Sequence, residues 1–322
     1  MKKWAVLLLA VYTMFSVGFI TKAEAVPWAK GYVFAGISNG QVAVFDSAGN
    51  LLETLNDGQG GFTTGMAFDS AGNLYSTNFS ASNVVKYLGP NDPHTNSIWA
   101  ANDAGAHNES ILFNKTGQVY IGQPDGTHDI IKRDAAGNFL ARYDVAISGR
   151  GTDWIDLAAD QKTMFYSGEG RIISRFDVSA NTQLADFATL PGTGNAYALR
   201  LLGGGGLLIA DASNIKRLDA LGNVIQTYDA NNQNQWFALN LDPDGKSFWS
   251  GSFDTNQFFK FDIATGAILV GPINSGGSLF GLTVFGEITQ GGGDGKVPEP
   301  ATMILIGSGL LGLAGLRKKF KK

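Results

Sequence analysis

Six times between Val42 and Gly266 the chain repeats one β-rich run. It ends in an aromatic or aliphatic residue and, in most copies, continues with Asp and a Gly/Asn turn. The copies are VAVFDSAGN (Val42–Asn50), VVKYLGPND (Val84–Asp92), IIKRDAAGN (Ile130–Asn138), ISRFDVSAN (Ile173–Asn181), IKRLDALGN (Ile215–Asn223) and FKFDIATG (Phe259–Gly266). Aligned on Asp46, they fall at Leu88, Asp134, Asp177, Asp219 and Asp262, with spacings of 42, 46, 43, 42 and 43 residues. A second motif alternates with the first: an apolar run, a polar Gly-containing turn, then another apolar run. Examples are GMAFDSAGNLYST (Gly65–Thr77), SILFNKTGQVYIG (Ser110–Gly122) and ALNLDPDGKSFWSG (Ala238–Gly251). Each reads as a hairpin. Four short strands in about 43 residues cannot bury a core alone and must stack radially, the pattern of a β-propeller blade.

The ends of the repeat predict how the ring closes. The chain enters at Gly31–Gly36 with a run that matches the second strand of a blade. It leaves at Leu279–Gly286 with a run that matches a first strand. One blade is therefore expected to take three strands from the start of the chain and its inner strand from the end, which removes the exposed edge of an open sheet. The expected fold is all-β, a six-bladed β-propeller over residues 26–287. Turns such as Asp69–Asn73 and Asp134–Asn138 put Gly where the backbone needs positive φ. They precede strands and not helices, so they do not read as phosphate loops.

The style of the body resembles the NHL-like and gluconolactonase-like six-bladed propellers over roughly Gly31–Glu287. That resemblance implies architecture and leaves function open. Aligning the inner strands places Thr64, Glu109, Asp153, Tyr197, Phe237 and Phe280 at one axial level, half polar and half aromatic. Asn108, Glu109 and Asp153 are hard oxygen donors on adjacent blades, a candidate calcium set. Gluconolactonase-like enzymes hold a divalent metal with Glu, Asp and Asn around the axis; here the opposite side is aromatic, so the full set is not reproduced. One level along the strands, Asp156, Arg200 and Asn240 are polar within apolar runs. They are expected to plug the channel, Asp156 pairing with Arg200 and Asn240 bridging. The histidines His94, His107 and His128 share no zinc spacing, and no serine sits in a nucleophile elbow. Trp99, Trp154, Trp236 and Trp249 recur at blade positions and read as packing between blades, with sugar stacking as the alternative.

The two chain ends carry a different message. Met1-Lys2-Lys3, the apolar run Trp4–Ile20 and Ala23-Glu24-Ala25 compose a signal peptide over residues 1–25, with Val26 as the mature start. After a Gly-rich linker over 288–296 come Val297-Pro298-Glu299-Pro300, the uncharged apolar run Ala301–Leu316 and the basic cluster Arg317, Lys318, Lys319, Lys321 and Lys322. The apolar run predicts a C-terminal transmembrane helix about 24 Å long at ~1.5 Å per residue, with its basic end in the cytoplasm. Residues 297–322 resemble the PEP-CTERM protein-sorting signal of Gram-negative bacteria. The resemblance implies transient anchoring in the inner membrane, recognition of the Pro-Glu-Pro segment by an exosortase, and delivery to the surface or extracellular polymer. A permanent anchor differs only in whether the tail is cut.

There is no cysteine, so stability rests on packing alone. The net charge of −4 lacks the basic footprint of a nucleic-acid binder. The expected function is an exported, non-enzymatic binding or structural module of the surface or exopolysaccharide layer. The alternative is a metal-dependent lactonase or hydrolase using Asn108, Glu109 and Asp153.

Overall fold

A computed structural model describes residues 25–101, 107–231 and 233–292. The signal peptide up to Glu24, the sorting motif, the C-terminal apolar run and the basic cluster lie outside the described residues. Within them the chain forms six antiparallel sheets and no helix. The innermost strands are Leu279–Val284 (blade 1), Thr63–Phe68 (blade 2), Ser110–Phe113 (blade 3), Gly149–Leu157 (blade 4), Ala196–Leu201 (blade 5) and Trp236–Leu241 (blade 6). Blade 1 closes the ring as the repeat implied: Leu279–Val284 pairs antiparallel with Val33–Ile37, which pairs with Gln41–Phe45 and then Leu51–Asn56. Blade 4 departs slightly, its outer edge split between Thr182–Gln183 and Ala188–Thr189.

The recurrent D-x-x-G-N turn has one geometry. In Asp46, Asp69, Asp134 and Asp219 the carboxylate Oδ1 accepts the backbone N–H groups two and four residues on, at 2.9 Å each. The Asn side chain at the fourth position donates back to the same carboxylate. The intervening glycines Gly49, Gly72, Gly137 and Gly222 have φ of 82–90°, a conformation that favours glycine. These hydrogen bonds hold Asp46, Asp134 and Asp219 below the usual carboxylate range. All such turns lie at the face where the inner strands end, here called the bottom.

Between blades the core is aromatic. Trp154, Trp236 and Trp249 are buried, with Trp236 edge-on to Phe259 and Phe261 and Trp249 near Phe258. None of these three is available for stacking on a sugar, whereas Trp99 is only partly buried, its Nε1 donating to the Ala135 carbonyl at 3.2 Å. Near the axis the inner strands approach so closely that glycine is required. A methyl on Gly281 would overlap the backbone carbonyl of Thr64 on the next blade, and one on Gly65 would overlap the carbonyl of Glu109. Backbone cannot give way as a side chain can. Gly281→Ala is therefore expected to cost about 1–3 kcal/mol by overpacking, measurable as a lower urea midpoint; an unchanged midpoint would mean that the blades can spread.

The chain does not leave the ring where the last strand ends. Phe285 bonds Gly31 and Tyr32 through its carbonyl and N–H, and Glu287 turns under the axis. Gly291 then lies against Leu157, its carbonyl accepting from Gln161 Nε2 at 2.9 Å. Residues 288–292, which composition assigns to a free linker, thus include contacts with the bottom of blade 4. Val26 is also at this face, its carbonyl 3.0 Å from His94 Nε2, while the His94 ring stacks on Trp28. Both ends of the described body are at the bottom.

Candidate functional site

Two cavities flank the axis. The bottom one is larger, about 630 Å³, and contains Asp156, Arg200 and Glu287 in its lining. Its charges satisfy one another. Arg200 Nε donates to Glu287 Oε1 at 2.9 Å, Asn240 Nδ2 to Glu287 Oε2 at 2.8 Å, and the Leu241 N–H to Glu287 Oε1 at 2.7 Å. Asp156 accepts the N–H groups of Leu157 and Leu201 at 2.9 and 2.8 Å. The expected Asp156–Arg200 pair is thus replaced. Glu287 takes the guanidinium and the Asn240 amide, because the C-terminal segment delivers a carboxylate that strand alignment does not contain. Burial raises Asp156 to about 6, with Arg200 and the two N–H groups pulling it back. The arrangement is a plug.

The top cavity, about 280 Å³, lies where the inner strands begin. Backbone bulges in the inner strands of blades 2, 4, 5 and 6 sit at this end, between Thr63 and Met66, Gly149 and Trp154, Ala196 and Leu199, and Trp236 and Ala238. Bulges re-aim side chains and often accompany sites. Five of the six aligned axial residues line the cavity: Thr64, Glu109, Tyr197, Phe237 and Phe280. Asp153, the sixth, is buried at 1% exposure.

The walls divide by chemistry. From blade 5 round to blade 1 runs an arc of rings, with Tyr197 to Phe237 at 5.0 Å, Phe237 to Phe253 at 5.8 Å, Phe253 to Phe280 at 5.4 Å and Phe280 to Phe62 at 4.4 Å between centroids. Tyr197 is fixed by its hydroxyl on Gln235 Oε1 at 2.8 Å. Opposite stand the acids of blades 3 and 4. Glu109 is 3% exposed, and among the described residues neither its Oε2 nor either oxygen of Asp153 has a hydrogen-bond partner. Its backbone is pinned by Thr77 Oγ1, which donates to its carbonyl at 3.0 Å. Burial raises both acids, Glu109 well above the usual range and Asp153 to about 8. The Asp153 charge adds to Glu109, the Glu169 charge adds to both, and Arg150 opposes.

Arg150 does not pair with them. Its Nε and Nη2 donate to Asp125 at 3.0 and 2.6 Å, its Nη1 to Glu169 at 3.3 Å, and it lies 5.3 Å from the Phe79 ring centroid. His107 completes the rim, 2.6 Å from Asp125. Phe62, Phe79 and Phe253 come from top loops, Arg150 from the bulged start of the blade 4 inner strand and Glu169 from the end of the neighbouring strand Thr163–Glu169, all outside the aligned axial positions.

The three candidate metal donors do not assemble. Asn108 Oδ1 accepts from Gln123 Nε2 at 3.0 Å and its Nδ2 donates to the Ser82 carbonyl at 3.2 Å. Its amide is spent inside the blades. Among the described residues no three His, Asp or Glu side chains converge into a metal-holding group. Two carboxyls facing rings are a poor fit to a calcium ion that takes six to eight oxygens.

Residues 296–319 match the PEP-CTERM protein-sorting motif. The motif implies export, processing by an exosortase and sorting to the cell surface. Comparison with curated proteins finds no match. Among solved structures, the fold is similar to a chain of a nidogen/laminin complex, with 15% identity, TM-score 0.67 and coverage of 79% of this chain and 97% of that one. It is also similar to a streptogramin B lyase (16%, TM-score 0.57, 80% and 88%). A catalytically inactive virginiamycin B lyase from Staphylococcus aureus, solved with quinupristin, is a third (14%, TM-score 0.56, 78% and 87%). At such identity the likeness carries the propeller fold and nothing more.

Proposed function

We propose that this protein is an exported binding propeller of the cell surface or extracellular polymer, which presents its top cavity away from the membrane that sorts it. The observation that carries the reading is the opposition of the two faces. The described chain ends at Gly292 beneath blades 3 and 4, while the unsatisfied carboxyls and the aromatic arc lie at the other end of the inner strands. A tail leaving from the bottom holds the cavity outward during anchoring and leaves it open after release. Extracellular polysaccharide is the expected surrounding, with the cavity as the contact point. The lactonase or hydrolase alternative needs Asn108 as a ligand beside Glu109 and Asp153, and its committed amide weighs against it.

Intact mass of the protein from its own cells tests the sorting half. A mature chain starting at Val26 and ending near Val297–Pro300, found in the polymer fraction, is expected; a mass that retains Lys322 would make the tail a permanent anchor. Phe237→Ala tests the other half. The half-buried Phe237 ring is central to the arc, so the variant is expected to shift from the polymer fraction to the medium. Unchanged retention of a folded Phe237→Ala would remove the cavity from the function.

A further inference from the structure

Buried carboxyls normally find a partner. Among the described residues Glu109 and Asp153, on adjacent inner strands, have none for three of their four oxygens. Arg150, the cation that opposes the shifts of both acids, is already divided between Asp125 and Glu169. Counting the groups that face the pair gives Asp125, Glu169 and the Tyr197 hydroxyl on one side of the balance, with Arg150 on the other and His107 at the rim. Among the described residues the site is short of positive charge. Across the cavity from Glu109, the rings of Phe62, Phe280, Phe253, Phe237 and Tyr197 form a continuous arc.

We propose that the top cavity binds an organic monocation, with an ammonium group against Glu109, backed by Asp153, and a compact apolar or ring-shaped body against the aromatic arc. This rests on the reading of the cavity as the binding site. A ring-lined wall attracts a weakly hydrated organic cation through its quadrupole faces and repels an anion. A divalent metal wants more oxygens than the site offers, since the Asn108 amide is committed elsewhere. A neutral ligand would leave the two carboxyls protonated and draw nothing from their charge. The volume of about 280 Å³ limits the ligand to a small molecule or one residue of a polymer.

The proton affinities add a signature. With Asp153 raised to about 8 and Glu109 raised as well, a permanent cation must displace protons at neutral pH. Its affinity therefore rises with pH, by up to about tenfold per unit for each proton displaced.

Isothermal titration of the protein from its own cells, with choline and tetramethylammonium as probes and glucose and calcium chloride as comparators, tests this. Repeating it in two buffers of different ionisation enthalpy counts protons. The expected result is choline binding with proton release, at least about tenfold tighter near pH 8 than near pH 6.5, and at least about tenfold weaker in Glu109→Gln. Asp153→Asn should bind with less proton release even where its affinity holds. Glucose or calcium binding that depends on Glu109, with neither ammonium probe bound, would overturn the organic-cation assignment but keep the cavity as a site. No binding by any probe, together with unchanged polymer retention of Phe237→Ala, would overturn both.

Discussion

Glu287→Ala is expected to destabilise the ring by about 3–5 kcal/mol, the cost of leaving a buried charge without its partner. Arg200 and Glu287 each expose only 9% of their side chains. Removal of the carboxylate strands the guanidinium and also frees the Asn240 amide and the Leu241 N–H, which Glu287 holds at 2.8 and 2.7 Å. Thermal melts should fall by about 10 °C for a domain of this size. Glu287→Gln keeps the acceptor oxygen and should lie between. Arg200→Met alone should also be costly, because the carboxylate is then the stranded group, whereas the Glu287→Leu, Arg200→Met double variant should recover part of the loss. That non-additivity identifies a coupled pair. Additive effects below about 1 kcal/mol would show that the bottom of the axis is hydrated and the chain end loosely held. The result also bears on processing. Glu287 and the Gly291 contact precede Val297, so a cut in the sorting motif leaves the plug in place and the ring closed.

Ring and plug were legible to different depths. The repeat carried the blade number, the shared blade and the axial level of Asp156, Arg200 and Asn240, because equivalent positions in aligned strands must occupy equivalent places. Glu287 was not legible as their partner, since it lies past the last strand and its position depends on where the chain turns after closure. The top cavity shows the same division. Glu109, Tyr197, Phe237 and Phe280 follow from alignment. Arg150 comes from a bulged stretch, Glu169 from the end of the strand Thr163–Glu169 and Phe253 from a loop, none of them among the aligned axial positions. The metal set of Asn108, Glu109 and Asp153 treated consecutive residues as if both reached the axis. In extended chain, neighbours point to opposite sides. Glu109 faces the cavity, so Asn108 turns into the blades and spends its amide on Gln123 and Ser82. Trp154, Trp236 and Trp249 went into the core, and inner-strand Tyr197, Phe237 and Phe280 with Phe62 and Phe253 from the top loops made the aromatic wall.

Asp153→Asn should make the protein more stable above neutral pH, by a few kcal/mol, while changing little near pH 4 to 5. Burial lifts the Asp153 proton affinity from 3.8 to about 8. The native state therefore holds a proton that the unfolded chain releases, and the stability this confers is full below about pH 4 and lost as pH rises through about 8. Glu109 is shifted in the same direction and for the same cause, so it adds to the alkaline loss. Asp211 and Asp244 oppose it. Their hydrogen bonds and cationic neighbours hold them below the usual range, so their contributions are present at neutral pH and lost in acid. The wild-type stability curve is thus a sum of opposite slopes, and only the difference between variant and wild type isolates Asp153. Urea midpoints near pH 5, 7 and 9 should show that difference widening steadily. A pH-independent difference would mean that the carboxyl ionises without cost, with water or a neighbour already serving as its partner. Addition of choline to the wild type should close the same gap, since a cation beside the pair restores the charge that burial withholds. A site that costs stability when empty and recovers it when filled has its binding energy tied to the two residues that weaken the fold, Glu109 and Asp153.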